Sequence, residues 1–168
     1  MALIQFTGTS GRTSGELPEV GNSAPDFELT KRDLTQIGLE DFKGKKVVLN
    51  IFPSLDTDTC AQAVRAFNSL AVEVENTAVL CISRDLPFAQ SRFCAAEGID
   101  RVTLLSDYKD KGFAEAYGVR FVDGPFEGLL ARAVLVVNEN GHVIYTEMVD
   151  NIGKEPNYKA ALEALQND

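Results

Sequence analysis

Val47-Val48-Leu49-Asn50-Ile51-Phe52-Pro53-Ser54-Leu55-Asp56-Thr57-Asp58-Thr59-Cys60 is the stretch around which the chain is organised. Its first five residues are a mostly apolar, β-branched run of the kind that forms a buried strand. From Ala61 to Val74 apolar residues recur at helical spacing, with Cys60, Val64, Phe67, Ala71 and Val74 on one stripe. Between the two lies a turn led by Pro53. A strand, a turn and a helix with a cysteine in its first turn form a setting for a reactive thiol. Cysteine reacts as the thiolate, and a helix N-terminus favours negative charge through its free N–H groups. Thr57 suits the N-cap and places Cys60 at N3, where its N–H is expected to bond the Thr57 hydroxyl.

Composition narrows the class of molecule. A chain of 168 residues supports one well-packed domain, read here as 1–168, and is short for two. With 45% hydrophobic and 24% charged residues it has the balance of an ordinary globular protein. A formal charge of -9 speaks against a nucleic-acid surface and against attraction to an acidic membrane. Met1 to Gly15 lacks a basic segment followed by an apolar core, and no apolar run approaches the ~20 residues of a membrane span. These features predict a cytoplasmic protein. There are three cysteines, Cys60, Cys81 and Cys94, without a C-x-x-C pair, and the one histidine, His142, is distant in sequence. Neither a disulfide framework nor a metal site is expected. His142 reads as an exposed strand residue without a role.

The remaining elements follow in order. Residues 3–7 predict an N-terminal hairpin or arm, and 21–30 a turn entering a short extended segment. Leu39 to Phe42 forms a brief turn closed by Gly44. Ala78 to Ile82 and Val102 to Leu105 read as strands, and Leu86 to Glu97 as a helix ended by Gly98. The apolar stripe of that helix is Leu86, Ala89, Phe93 and Ala96, with Cys94 at its edge. A helix is expected at about 109–117, stopping at Gly118, followed by an irregular loop from Phe121 to Leu130. Ala133–Val137 and His142–Glu147 read as a hairpin closed by Asn140-Gly141. Pro156 opens a last helix through Leu165. Strand–helix alternation ending in a hairpin and a helix predicts an α/β sandwich with a mixed sheet.

The pattern Pro53-x-x-x-Thr57-x-x-Cys60 after a strand resembles the active-site motif of the peroxiredoxins. The fuller string Pro-Ser-x-Asp-Thr-x-x-Cys is similar to the thiol peroxidase branch, the atypical two-cysteine type. Gly21-x-x-Ala24-Pro25-Asp26-Phe27 and Gly128 to Val134 resemble the same family, so the likeness runs from about residue 15 to the end. It implies a thioredoxin-like fold, with a central mixed β-sheet flanked by helices and an N-terminal β-hairpin. It implies that Cys60 is the peroxidatic cysteine and Cys94 the resolving one, joined as a Cys60–Cys94 disulfide that thioredoxin reduces. Hydrogen peroxide and organic hydroperoxides are the implied substrates, a homodimer the implied assembly, and no cofactor is required. The resemblance also assigns Arg132 to the sulfur and the peroxide, Thr57 to the reacting oxygens and Pro53 to shielding.

Elementary chemistry gives those assignments a reason. An ordinary thiol with a pKa near ~8.5 is only about 3% thiolate at neutral pH, and moving it to roughly 6 takes about 3.4 kcal/mol. One helix N-terminus contributes ~0.3–1 kcal/mol at an exposed site, so a cation is needed as well. Arg132 stands at the start of an apolar run, where a charge must leave the core or find a partner. Asp58, two residues before Cys60, opposes a thiolate and is expected to face solvent. Phe121, Phe126, Leu129 and Leu130 form either an apolar wall beside the sulfur, favouring alkyl or lipid hydroperoxides, or ordinary loop packing. Cys81, inside an apolar strand, reads as core. Two other functions share the strand–turn–helix layout: a thioredoxin-like disulfide oxidoreductase, which would carry a second cysteine where Thr57 stands, and a non-enzymatic redox sensor.

Overall fold

The computed structural model describes residues 1–167. Strands β1 (Leu3–Phe6) and β2 (Thr9–Arg12) form an antiparallel N-terminal hairpin. The main sheet is built from β3 (Leu29–Thr30), β4 (Gln36–Ile37), β5 (Lys46–Ile51), β6 (Thr77–Ser83), β7 (Thr103–Ser106), β8 (Ala133–Val137) and β9 (Val143–Met148). Its order is β4-β3-β7-β6-β5-β8-β9. The central strands β5, β6 and β7 are parallel, β3 and β8 join them antiparallel, and β9 pairs antiparallel with β8. The helices are α1 (Asp58–Leu70), α2 (Pro87–Glu97), α3 (Phe113–Tyr117) and α4 (Tyr158–Gln166). This is the mixed sheet and N-terminal hairpin expected from the sequence.

The continuous apolar strands are explained by cover on both faces. Leu49, Ile51, Leu80, Ile82 and Leu135 face a layer containing Phe113 and Tyr117 of α3. Val48, Val79, Cys81, Val134 and Val136 face the other way, against Cys60, Val64 and Phe67 of α1, Cys94 of α2, and Ala161 and Leu165 of α4. The reactive-thiol helix therefore sits on the α1/α2/α4 face. A third, smaller cluster holds Ile4 of the hairpin against Phe121 and Ala131.

Several expectations need correction. Helix α1 stops at Leu70 and the chain continues to Glu73 as a 3-10 turn. Helix α3 starts only at Phe113, because Asp110 (φ 51) and Gly112 (φ 97) take left-handed backbone that interrupts a helix begun at 109. Helix α4 begins at Tyr158 rather than at Pro156, and Asn157 caps it by accepting from the Ala160 N–H at 3.0 Å. The stripe of α2 is shifted: Leu86 and Ala96 are exposed, and Ala89 and Phe93 are only partly buried. Its buried residues are Pro87, Gln90 and Cys94, while Leu86 and Phe88 are 51% and 67% exposed. Gln90 tolerates burial because its amide donates to the Leu105 carbonyl at 2.9 Å. Cys94 is thus on the inner face of α2 and not at its edge.

Gly118 ends α3 with φ +68, and a Cβ there would lie 2.3 Å from the Glu16 carbonyl oxygen. Gly118→Ala is therefore expected to cost about 2–4 kcal/mol, from left-handed strain plus a backbone clash. Differential scanning calorimetry should show the midpoint falling on the order of 5–10 °C.

Candidate active site

Sheet register brings the cation to the thiol. β5 runs antiparallel to β8 with Ile51 opposite Ala133, so Arg132, one residue outside β8, stands beside Phe52, where the Cys60 loop leaves the sheet. The Arg132 side chain is buried, at 2% exposure. Its Nη1 donates to Cys60 Sγ at 3.1 Å and its Nη2 to the Ile152 carbonyl at 2.7 Å. Its Nε is buried without a hydrogen-bond partner. A guanidinium held this deep requires a counter-charge, and the sulfur in its thiolate form supplies one.

The helix start adds the second element. Cys60 occupies N3 of α1 and is fully buried, and Pro53 is buried in the turn before it. Thr57 is the N-cap by its extended backbone (φ -105, ψ 142), but its side chain makes no cap bond. This corrects the expected Thr57–Cys60 hydrogen bond. The Thr57 hydroxyl donates instead to the Ser54 carbonyl at 2.9 Å, and Ala61 is the first residue whose N–H bonds within the helix, to Thr57 O at 3.0 Å. The N–H groups of Asp58, Thr59 and Cys60 are left as the positive end of the helix. The Asp58 side chain is exposed, as expected.

Comparison with known proteins identifies the family that carries this fold. The Redoxin family model matches residues 19–162. The chain is 53% identical over 165 residues to "Thiol peroxidase" of Corynebacterium glutamicum, covering 98% of this chain and 99% of that one. Identity and coverage are the same for "Thiol peroxidase" of Mycobacterium bovis. A solved peroxiredoxin-like protein from Aquifex aeolicus superposes with a TM-score of 0.91 at 34% identity, covering 99% of this chain and 97% of that one. The chain belongs to the thiol peroxidase branch of the peroxiredoxins.

It is accordingly a peroxidase with the thioredoxin-like fold of that family, and the three cysteines of this peroxiredoxin occupy different settings. All three are free. Burial raises the Cys94 thiol pKa, while the charge of Arg32 and a hydrogen bond from it act in the opposite direction. Cys81 lies inside β6, where burial pushes its thiol up to about 12, against a hydrogen bond from Asn50 and with a smaller rise from Cys94. Asn50 Nδ2 is 3.5 Å from Cys81 Sγ. Three of the four loop residues considered as an apolar wall pack into the core or against the hairpin. Phe121 meets Phe6 of the hairpin with a tilted ring and Phe126 meets it edge-to-face, and Leu130 joins the layer containing Val119 and Leu135. Those three side chains take the loop-packing alternative, and Leu129 is half-buried in the same loop.

Residues not anticipated from the sequence also frame the site. Tyr158 meets Phe67 edge-to-face, and the charges of both Arg132 and Cys60 act on its phenol, whose pKa is raised chiefly by burial and by Glu155. Asp85 accepts from the Ser54 hydroxyl at 2.8 Å and from the Leu55 N–H at 2.8 Å. Arg84 donates to the Gly128 carbonyl at 2.6 Å and contacts Asp107, whose pKa burial raises to about 6 despite that arginine. No local motif marks these residues, because each acts across strands. Among the described residues no cluster of His, Cys, Asp or Glu is arranged to hold a metal, and no helix is long and apolar enough to cross a membrane.

The raised Cys81 pKa makes a specific forecast. With its titration near 12, its thiolate fraction at neutral pH is on the order of 1 in 10⁵. Iodoacetamide should label it last, and Cys81→Ala should keep peroxidase activity within about twofold while losing ~1–2 kcal/mol of stability to the cavity. Peptide mass spectrometry after timed labelling, with a denaturant melt, checks both.

Proposed function

We propose that Cys60 is the group that reduces the peroxide and Cys94 the group that resolves it. The Cys60 thiolate attacks the distal oxygen of a hydroperoxide, and the O–O bond breaks. The leaving oxygen takes a proton to become water or an alcohol, and Cys60 is left as a sulfenic acid. The Cys60–Arg132 contact of 3.1 Å carries this reading. It supplies charge where a thiolate needs it before reaction and where negative charge passes onto the peroxide oxygens during it. Thr57 caps the segment beside those oxygens, and Pro53 covers the sulfur from water.

Resolution requires movement. The Cys60 sulfur faces Arg132 at the entrance to β8, whereas Cys94 lies close enough to Cys81 on β6 to act on its titration. Both cysteines belong to the same buried layer, on different helices, and a bond between them requires the Cys60 sulfur to leave Arg132. A disulfide needs Cα atoms within about 4.4–6.8 Å. We therefore read the first turn of α1 as unwinding, with an adjustment of α2, as Cys94 displaces the sulfenic hydroxyl as water. Reduction by thioredoxin, a homodimeric assembly and a cytoplasmic setting belong to the same proposal and rest on the family resemblance. An oxidoreductase of the thioredoxin type is disfavoured because Thr57, and not a second cysteine, stands three residues before Cys60.

Mixing the reduced protein with cumene hydroperoxide should consume two of its three thiols and join Cys60 to Cys94 in peptide maps. Cys94→Ser should stop at a dimedone-reactive sulfenic acid on Cys60. Loss of Cys81 in place of Cys94 would refute the pairing.

Arg132→Met should lower the second-order rate with peroxide about 100-fold or more, the scale of losing one charged donor at a reacting centre. Arg132→Lys should fall between, because an ammonium cannot span both the sulfur and the Ile152 carbonyl in one planar fork. Stopped-flow oxidation at fixed pH measures both.

A further inference from the structure

Asp85 stands at the root of α2, immediately before its N-cap Leu86, and its carboxylate reaches back to the loop that leads to Cys60. Oδ1 accepts from the Ser54 hydroxyl at 2.8 Å. Oδ2 accepts from the Leu55 N–H at 2.8 Å and from the Ser83 hydroxyl at 2.6 Å. The Asp85 carbonyl accepts from the Ser106 hydroxyl at 2.6 Å, which anchors the residue to the end of β7. Ser54 passes the hold onward. Its carbonyl accepts from the Thr57 hydroxyl at 2.9 Å and the Thr57 N–H at 3.2 Å, and its hydroxyl accepts from the Asp56 N–H at 3.1 Å. One carboxylate therefore orders the segment that decides where α1 starts. It also walls a cleft of about 270 Å³ between Leu55 and the Phe93 face of α2, so the clasp adjoins space into which the loop can move.

We propose that Asp85 is a positioning residue that clasps the Cys60 loop to the root of the Cys94 helix, aligning the loop for the peroxide step and opening for the disulfide to close. This rests on the roles given above to Cys60 and Cys94. The two steps make opposite demands. Peroxide reduction needs the helix N–H groups and Arg132 assembled on one sulfur. Disulfide closure needs that sulfur to leave Arg132, and unwinding the first turn of α1 removes the Thr57–Ser54 bonds that Asp85 supports. In closure the Cys60 S–O bond breaks, the Cys60–Cys94 S–S bond forms, and the hydroxyl leaves as water with the Cys94 proton. In the competing reaction a second hydroperoxide transfers an oxygen atom to the sulfenic acid, giving a sulfinic acid and an alcohol. The lifetime of the clasp then sets the ratio of the two.

Asp85→Asn keeps the shape of the side chain but replaces an acceptor oxygen with an amide that cannot accept. Ser54→Ala removes one arm without altering charge. Rapid acid quench after mixing with cumene hydroperoxide, with mass spectrometry of the Cys60 and Cys94 peptides, follows sulfenic acid, disulfide and sulfinic acid separately. Closure should quicken about fivefold in Asp85→Asn and about two- to threefold in Ser54→Ala, as expected for losing one or two ordinary hydrogen bonds. Sulfenic acid formation should slow in both, and the sulfinic fraction under excess peroxide should fall. A merely structural residue would lower the thermal midpoint and leave these rates alone. Unchanged or slower closure in folded variants overturns the clasp, and Ser54→Ala decides alone if Asp85→Asn does not fold. A wild-type protein that never joins Cys60 to Cys94 overturns the roles of the two cysteines and the clasp with them, whereas normal wild-type closure with unchanged variants overturns the clasp only.

Discussion

A single buried contact, Arg132 Nη1 on Cys60 Sγ at 3.1 Å, constrains the rest of the structure. Burying a guanidinium is costly unless a counter-charge and further acceptors meet it. The sulfur and the Ile152 carbonyl provide these, and each arrives from a different part of the chain. The pairing of β5 with β8 brings the loop after Ile51 beside Arg132. The N-terminal hairpin adds a further constraint, since the Ile152 N–H bonds the Gln5 carbonyl at 3.0 Å and so fixes the segment that offers the carbonyl to Arg132.

The chemistry gathers at one end of the sheet. The parallel strands β5 and β6 both finish there, in Phe52 to Cys60 and in Ser83 to Asp85, and β7 supplies Ser106 and Asp107. Open α/β sheets place their sites at this end because chains leaving parallel strands diverge and expose helix N-termini. Here the end is also crowded with side-chain oxygens: Ser54, Ser83, Asp85 and Ser106 share hydrogen bonds across three strands. The loop that holds Cys60 is thus positioned by polar groups as well as by the buried Phe52 and Leu55, and its part-buried Ser54–Asp85 bond can be exchanged more cheaply than a packed core can be opened.

Burial separates the cysteines by function. Cys81 is sealed inside a strand with an amide beside it and no cation, so it behaves as a small hydrophobe. Cys60 is equally buried but has a guanidinium on its sulfur and helix N–H groups around it. Cys94 lies between, buried on the inner face of α2 with Arg32 acting on it. Exposure alone would have ranked these thiols wrongly, since none of them is open to solvent.

Taken alone, the sequence determined the strand–turn–helix around Cys60, the alternation that makes a mixed sheet, the N-terminal hairpin, and Cys81 as core. Those conclusions rest on local periodicity and turn chemistry, which a short window contains. Tertiary structure alone decided what touches what. It turned the Thr57 hydroxyl to the Ser54 carbonyl, buried Gln90 of α2 more deeply than Phe93, packed Phe121 under the hairpin, and recruited Asp85 and Tyr158 to the site. The reason is physical. A residue's spacing within its own element shows which neighbours share its face, whereas the partner it meets is set by strand order and register, and these are properties of the assembled sheet.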